Sequence, residues 1–505
     1  MLGAGDNAPD AGIMISIWLG GAASLAHPTA LLFLCIGMAV GLVFGAVPGL
    51  GGTTALALLL PLTYGLDTMP ALALAGGVMG AVPMGGSITA ILLNTPGSAP
   101  NAATCLDGFP LAQQGKAGLA IGAAASANAL GGLIGTISLL AVLPLSTRLV
   151  LAFGPPEFFL LGLLGLGLVA TASRGPMARA LLVGGLGLML ATVGYDQVDG
   201  VARYDFGIDA LWDGVHLVPA LIGLFALAEM LNLWARGGSV AAAGPTRVTR
   251  LSAGLVETFR HWPTVLRGSL IGTVIGAIPG IGGTVAAFLS YSVAMQTARD
   301  PASFGRGNIE GVIAPEAAIN AKDCSALIPT LAFGIPGSAE MAVFLGILVL
   351  HGMQPGPLIL MNNQTEIYGL IWALTAACVL ASLIGLLVVR PLTRITRVPG
   401  RVLVPLVLGV ALTGSWAVDR STANIVVTAA FGLLGYAMLR LDYPRLPLVI
   451  ALVLGSGIER DFHQSLAMSD GDASIFITRP LAATLCGLVL LALAWPRLRA
   501  ARQRR

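Results

Sequence analysis

One apolar, glycine-broken segment occurs twice in this chain, and any fold must accommodate both copies. Residues 41–54 read GLVFGAVPGLGGTT and residues 272–285 read GTVIGAIPGIGGTV, identical at nine of fourteen positions. Pro48-Gly49 matches Pro279-Gly280, Gly51-Gly52 matches Gly282-Gly283, and Thr53 matches Thr284. A second echo follows each copy, Thr95-Pro96-Gly97-Ser98 and Ile335-Pro336-Gly337-Ser338. The first pair is offset by 231 positions and the second by 240, so the later copy holds about nine more residues between its motifs. Gly/Pro-interrupted apolar segments at corresponding positions of two halves point to a binding site at the interface of two membrane repeats.

The surroundings demand a membrane. The 505 residues are 56% hydrophobic and 10% charged, where a soluble domain carries about 25% charged residues. Apolar blocks of helix-spanning length recur from end to end, enough for about 12 crossings at about 20 residues each. The ten-residue alternation of a membrane β-barrel is absent. We therefore expect an all-α polytopic membrane protein. The five cysteines are scattered, with no CxxC or Cys/His cluster suited to metal or redox work. The net charge of +3 gives no reason to expect a nucleic-acid partner.

Charge sets the orientation. No Lys or Arg occurs in the first 115 residues. Basic residues then gather in Arg236–Arg267, at Arg299 and Arg306, in Arg390–Arg401 and in the tail Arg497–Arg505. Positive flanks stay cytoplasmic, which places the C-terminus inside and the N-terminus outside. The first motif follows an uncharged or acidic flank and the second a basic one, so the repeat is expected to be inverted. This divides the chain into a first half (1–235), a cytoplasmic basic linker (236–267), a second half (268–495) and a basic tail (496–505). The acidic stretch Asp196–Asp213 reads as a solvated loop.

Depth follows from length. Eleven residues separate Arg267 from Pro279, about 17 Å of helix at about 1.5 Å per residue, against a hydrocarbon core of about 30 Å. Pro279-Gly280 is thus expected near the midplane. Arg299 and Arg306 follow soon after, so Gly268–Ala298 reads as a re-entrant hairpin; the alternative is a pair of kinked full spans. Irregular backbone at that depth must be buried in protein or line a cavity.

The motifs can bind ions of both signs. Their glycines permit positive φ and close backbone approach. Thr53, Thr284, Ser98 and Ser338 are placed to cap the half-helices that follow, whose N-termini attract anions. We therefore take Pro48, Gly49, Gly51, Gly52, Thr53, Pro96, Gly97, Ser98 and their counterparts Pro279, Gly280, Gly282, Gly283, Thr284, Pro336, Gly337, Ser338 as substrate-binding candidates. Intramembrane polar residues are the other candidates, being expensive in lipid. Asn94, Thr95, Asn101, Glu316, Asn320, Asp323 and Glu340 are assigned to the coupling ion, Na⁺ or H⁺. Glu316 and Asn320, four apart, share a helix face. Lys322 and Asp323, being adjacent, are not expected to face each other; Lys322 either neutralises substrate or pairs with an acid elsewhere. No cofactor is expected.

The ordered series FGAVPGLGGTTALALLLPLTYGLD, GGSITAILLNTPGS, LDGFPLAQQGKAG, IGAIPGIGGT, PEAAINA, LIPTLAFGIPGS and HGMQPGP closely resembles the large membrane subunit of tripartite tricarboxylate transporters. The resemblance covers most of residues 28–360 and, more loosely, the rest. It departs at Met84, often Tyr in the family, at Ser98-Ala99, where an acid is common, and at AKDCS, usually small or amide residues. It implies a bacterial inner-membrane importer of carboxylates driven by an ion gradient. It also implies two partners, a small membrane subunit of about four spans and a periplasmic solute-binding protein. The rival readings are a stand-alone ion-coupled exchanger and a membrane-embedded enzyme. The spans hold no HExxH, Asp-rich diphosphate motif or Ser/Lys pair, which argues against an enzyme.

Overall fold

A computed structural model describes residues 11–151, 153–173, 176–195, 200–236, 251–356, 359–395 and 400–503. Asp6, Asp196 and residues 237–250 of the basic linker lie outside the described residues. The first half opens with α1 (Ala11–Leu25), α2 (Pro28–Ala46), α3 (Gly51–Leu59) and α4 (Thr68–Leu93). It continues through α5 (Ala102–Gln113), α6 (Ala117–Leu151), α7 (Pro155–Ala172) and α8 (Met177–Ala191). A two-stranded β-hairpin, Gly194–Tyr195 with Ala202–Arg203, leads to α9 (Leu217–Leu221), a π-helical segment Ile222–Leu227 and α10 (Ala228–Arg236). Arg445 covers that segment, donating to the Leu224 carbonyl at 2.9 Å and to Glu229 at 2.7 Å.

Next come α11 (Leu251–Arg260), α12 (Trp262–Gly276), α13 (Gly282–Thr297), α14 (Glu310–Ser325), α15 (Leu327–Phe333) and α16 (Ala339–Leu350). The remainder is α17 (Ile359–Asn362), α18 (Gln364–Ile395), α19 (Gly400–Asp419), α20 (Thr422–Arg440), α21 (Leu446–Ala467), α22 (Ile475–Thr478) and α23 (Pro480–Gln503). Eight helical stretches among the described residues are long and apolar enough to cross a membrane. Other apolar helices, among them Gly51–Thr63 and Ala339–Leu350, are 10–17 residues long; these two are short because each begins just after a Pro-Gly break. Large apolar side chains such as Leu387, Val426 and Leu490 point outward, as lipid contact requires. The chain is an all-α polytopic membrane protein.

The duplication in sequence is a duplication in packing. On α2, Gly37, Gly41 and Gly45 lie against the carbonyls of Leu74, Val78 and Val82 on α4. On α12, Gly268, Gly272 and Gly276 lie against those of Ala314, Ala318 and Lys322 on α14. The offsets of 231 and 240 carry every member of the first ladder onto the second. Both registers ascend together, so each pair of helices is parallel. A small residue at every fourth position lets the backbones touch, the usual device for close contact in lipid.

Each ladder ends in the same loop. Gly49 (φ +88°) and Gly51 (φ +60°) correspond to Gly280 (φ +82°) and Gly282 (φ +77°), conformations that glycine adopts without the steric cost other residues meet. Downstream, α4 stops at Asn94 (φ 52°) and α15 at Gly334 (φ 68°), again equivalent positions. Gly97 sits on the Gly45 carbonyl, and Gly337 near that of Gly276. The Gly280 amide donates to the Gly337 carbonyl at 3.3 Å, tying the second tip to the second break.

The halves interlock. α1 packs on α18, with the Trp18 and Trp372 rings 4.5 Å apart. Gly131 and Gly135 on α6 lie against Ala317 and Ala321 on α14. α11, inside the stretch read as linker, is a helix held to α6 through Ser126 and Thr258 at 2.8 Å. His351, past the end of α16, contacts the Thr63 carbonyl at the base of the first hairpin (3.1 Å). Gln114, past the end of α5, donates to the Arg306 carbonyl at the base of the second (2.8 Å).

Gly97→Ala should therefore be costlier than Gly49→Ala. A Cβ at 97 would collide with the Gly45 carbonyl and stand 2.7 Å from the Gly86 Cα, whereas one at 49 meets nothing within 4 Å. Overpacking costs about 1–3 kcal/mol and left-handed strain about 1–2 kcal/mol. Thermal unfolding of the purified protein in detergent should show the larger drop for Gly97→Ala; equal drops would mean that backbone contact does not hold the tip.

Candidate functional site

Each tip touches the other half's break. Gly52, buried at the start of α3, faces Glu340: a Cβ there would stand 2.6 Å from Oε1. Gly283, buried at the start of α13, faces Pro100, whose Cγ would be 2.9 Å from such a Cβ. Positions 52 and 283 are equivalent, and so are 100 and 340, so one cross-contact is made twice. Pro48, Thr53, Ser98, Pro279, Gly280, Gly282, Thr284, Ser338 and Glu340 are half-buried, and Gly49 is exposed, so the rims of the tips are accessible.

The capping expectation holds in part. Ser338 caps α16, its hydroxyl accepting from the Met341 amide at 3.3 Å. Ser98 precedes the short 3-10 turn Ala99–Asn101 without capping it and donates instead to Asn101 Oδ1 at 2.5 Å. Thr53 and Thr284 are not caps. Leu50 and Ile281 stand at the N-cap positions, because the left-handed Gly51 and Gly282 already open the helices two residues earlier. The first turns of α3 and α13 consequently carry no capping side chain.

Lys322 and Asp323 form a buried ion pair, contrary to the expectation that neighbours on a helix cannot face each other. The four-carbon lysine stem is long and flexible enough to reach the adjacent carboxylate. That stem also lies along the second tip, its Cδ and Cε 3.5 Å from where a Cβ on Gly283 would stand. Glu340 stands close enough to feel the charges of both members of the pair. Removing either partner of such a pair leaves an uncompensated buried charge, a loss of about 3–5 kcal/mol.

Glu316 lies deeper and is fully enclosed. Its Oε1 accepts from Thr104 at 2.5 Å and Asn101 at 3.4 Å, and its Oε2 from Ser87 at 2.6 Å and Asn128 at 2.8 Å. All four donors come from α4, α5, α6 and the turn before α5, whereas Glu316 is on α14. A second-half carboxylate is thus held entirely by first-half neutral donors, filling its lone-pair positions. Asn320 shares the face of Glu316 and donates to the Asn128 carbonyl at 3.0 Å. Since the amide nitrogens of Asn128 and Asn320 are fixed by these acceptors, their oxygens point elsewhere; both Oδ1 atoms are buried without a hydrogen-bond partner. An unmet buried acceptor costs about 1–3 kcal/mol.

Asn94 and Thr95 stand apart from this network. Asn94 is exposed at the left-handed end of α4, and the Thr95 hydroxyl turns back to the Leu93 carbonyl at 3.0 Å. Three members of the network, Ser87, Thr104 and Asn128, escaped the sequence reading. Asn128 carries a signal, as a lone amide in an apolar helix; the two hydroxyls carry none. Asp107 was missed as well. Buried on α5, it accepts from the Gly307 and Asn308 amides at 2.8 Å and from Tyr291 at 2.9 Å, clamping the base of the second hairpin. A cavity of about 360 Å³ lies between the β-hairpin loop and α21, beside the Arg203–Glu459 ion pair, and no motif residue lines it.

Comparison with known proteins places this geometry in a lineage. The chain is 32% identical over 464 residues, covering 92% of both sequences, to an uncharacterized 52.8 kDa protein in the TAR-I ttuC' 3' region of Agrobacterium vitis. It is 33% identical over 220 residues, 44% of this chain and 91% of the relative, to an uncharacterized protein in the TAR-II ttuC' 3' region of the same organism. No solved structure matches the chain. Residues 31–450 match the tripartite tricarboxylate transporter TctA family, the large subunit of these systems, and the chain belongs to that family.

Proposed function

We propose that this chain is the membrane subunit of a binding-protein-dependent secondary transporter that imports an organic carboxylate on a sodium gradient. The observation that carries the reading is the reciprocal contact of each tip with the other half's break, Gly52 on Glu340 and Gly283 on Pro100. It sets the start of α3 against Glu340 and the start of α13 beside the Lys322 stem. Helix N-termini and an ammonium favour a carboxylate, and the rims of both tips are accessible.

The repeat is read as inverted. The Thr63–His351 and Gln114–Arg306 contacts support this, since each hairpin base meets the far end of the other half's broken span. With the basic flanks cytoplasmic, the first hairpin enters from the periplasm and the second from the cytoplasm, and the C-terminus is cytoplasmic. Alternating access is then a movement of one half against the other around the tips. The membrane is the bacterial inner membrane, and the partners are a small membrane subunit and a periplasmic solute-binding protein.

Sodium is favoured over a proton by the oxygens. Asn128 and Asn320 offer the unmet oxygens that a hard cation prefers. The full complex in proteoliposomes should accumulate labelled carboxylate when sodium is high outside. Sodium should tighten substrate binding, and substrate sodium binding, by one common factor of about 5–150. Asn320→Ala should reduce that factor. Uptake that ignores sodium and follows an imposed pH gradient would contradict the sodium assignment, and no carboxylate uptake under either gradient would contradict the function.

A further inference from the structure

The loop between α8 and α9 presents aromatic side chains to solvent from a strained backbone. Tyr204 and Phe206 are 62% and 80% exposed, and both are left-handed, at φ 55° and 50°. That conformation is uncommon outside glycine and is an outlier for a bulky residue. Neither ring is buried in return. Backbone strain of this kind is retained at binding surfaces, where it presents a group to a ligand. Val201, Ile208 and Trp212 are exposed on the same loop. We propose that this loop is the docking surface for a soluble periplasmic protein whose matching face is apolar at its centre and basic at its rim. In the transport reading above, on which the inference rests, that protein is the solute-binding partner.

Sidedness selects a partner from the periplasm. The loop leads directly into the apolar span Leu217–Ala235, 19 residues long. At about 1.5 Å per residue that is about 28 Å, one crossing of a hydrocarbon core about 30 Å thick. Arg236 and the basic linker follow at its far end, so with that end cytoplasmic the loop faces the periplasm. The loop is also held in shape. The Tyr195 amide donates to the Trp212 carbonyl at 2.9 Å, and Arg203 at the end of the β-hairpin pairs with Glu459 on α21 at 2.8 Å. A surface fixed before contact loses less freedom on binding.

Charge selects the chemistry of that partner. Asp209 and Asp213 are exposed among the apolar side chains, and Asp205 is half-buried between Tyr204 and Phe206 in the chain. Arg203, the one Lys or Arg in residues 201–216, is engaged by Glu459. The rim is therefore acidic and attracts Lys and Arg of an approaching protein. Aromatic side chains alone would suit a membrane interface, but these acids repel anionic phospholipid headgroups. Behind the loop lies the cavity of about 360 Å³, lined by Tyr195, Trp212 and Ser456 beside the Arg203–Glu459 pair. It offers room for a side chain of the partner. Aromatic anchors with a pocket beside them are what the centre of a protein interface is made of.

The test is binding of the complex's solute-binding protein, as purified, to the full-length chain and its small subunit in lipid nanodiscs. Tyr204→Gly and Phe206→Gly remove the rings and suit the left-handed backbone. Both variants should melt no lower than wild type yet bind more than about tenfold weaker. Asp209→Lys combined with Asp213→Lys should weaken binding at low salt by about tenfold and abolish the loss of affinity that added salt causes in wild type. Glycine variants that bind as wild type does, or a lysine variant that binds tighter, would overturn the proposal while leaving the transport reading intact. So would glycine variants that keep the solute-binding protein but lose the small subunit or a second copy of this chain. If the glycine variants do not fold, the lysine variant, changed only at exposed positions, decides by itself. A wild-type chain that binds no solute-binding protein and imports carboxylate without it would remove the binding-protein dependence and the proposal together.

Discussion

Backbone contact at two glycine ladders is the constraint on which the rest of the structure depends. With no hydrophobic force to drive helices together in lipid, close packing must come from shape. Gly37, Gly41 and Gly45 give α2 contact with the carbonyls of α4, and Gly268, Gly272 and Gly276 do the same for α12 on α14. Each ladder runs straight into its Pro-Gly tip, so the depth and direction of the tip are set by how the ladder seats. The residues past the tip then begin a new half-helix whose amides are not consumed by a cap. A bulky side chain anywhere along a ladder would lift the tip out of register with its partner.

Polar groups divide between holding and handling. Glu316 is satisfied by four donors from the other half and binds the halves together. Asp107 does comparable work at the base of the second hairpin. Lys322, Asp323 and Glu340 lie nearer the tips. Near the tips the symmetric backbone thus carries an asymmetric set of charges, all on the second half. This lets one half supply mainly helix ends and the other supply both helix ends and charge.

Much of this was legible in the sequence, because a duplicated break announces itself and apolar composition leaves few alternatives. The left-handed glycines 49, 51, 280 and 282 follow from the motif, and so does the cap at Ser338. The remainder failed for identifiable reasons. Thr53 and Thr284 looked like caps because side-chain type was read without backbone conformation; Gly51 and Gly282 had already started the helices. The Lys322–Asp323 pair was missed because helix geometry was applied to Cβ directions and not to a flexible stem. The Glu316 donors lie 188–229 positions away, a separation that no local pattern encodes. Asn94 and Thr95 drew notice by proximity to a motif, yet the turn aims them away from the buried network.

Sidedness of the two hairpins is the central claim, and impermeant maleimide labelling tests it most directly. Single cysteines at Gly65→Cys and Ala302→Cys, both exposed positions at the hairpin bases, would be placed in a background without the five native cysteines. The account predicts that position 65 labels from the periplasm and position 302 only from the cytoplasm. Labelling of both from the same face would contradict it.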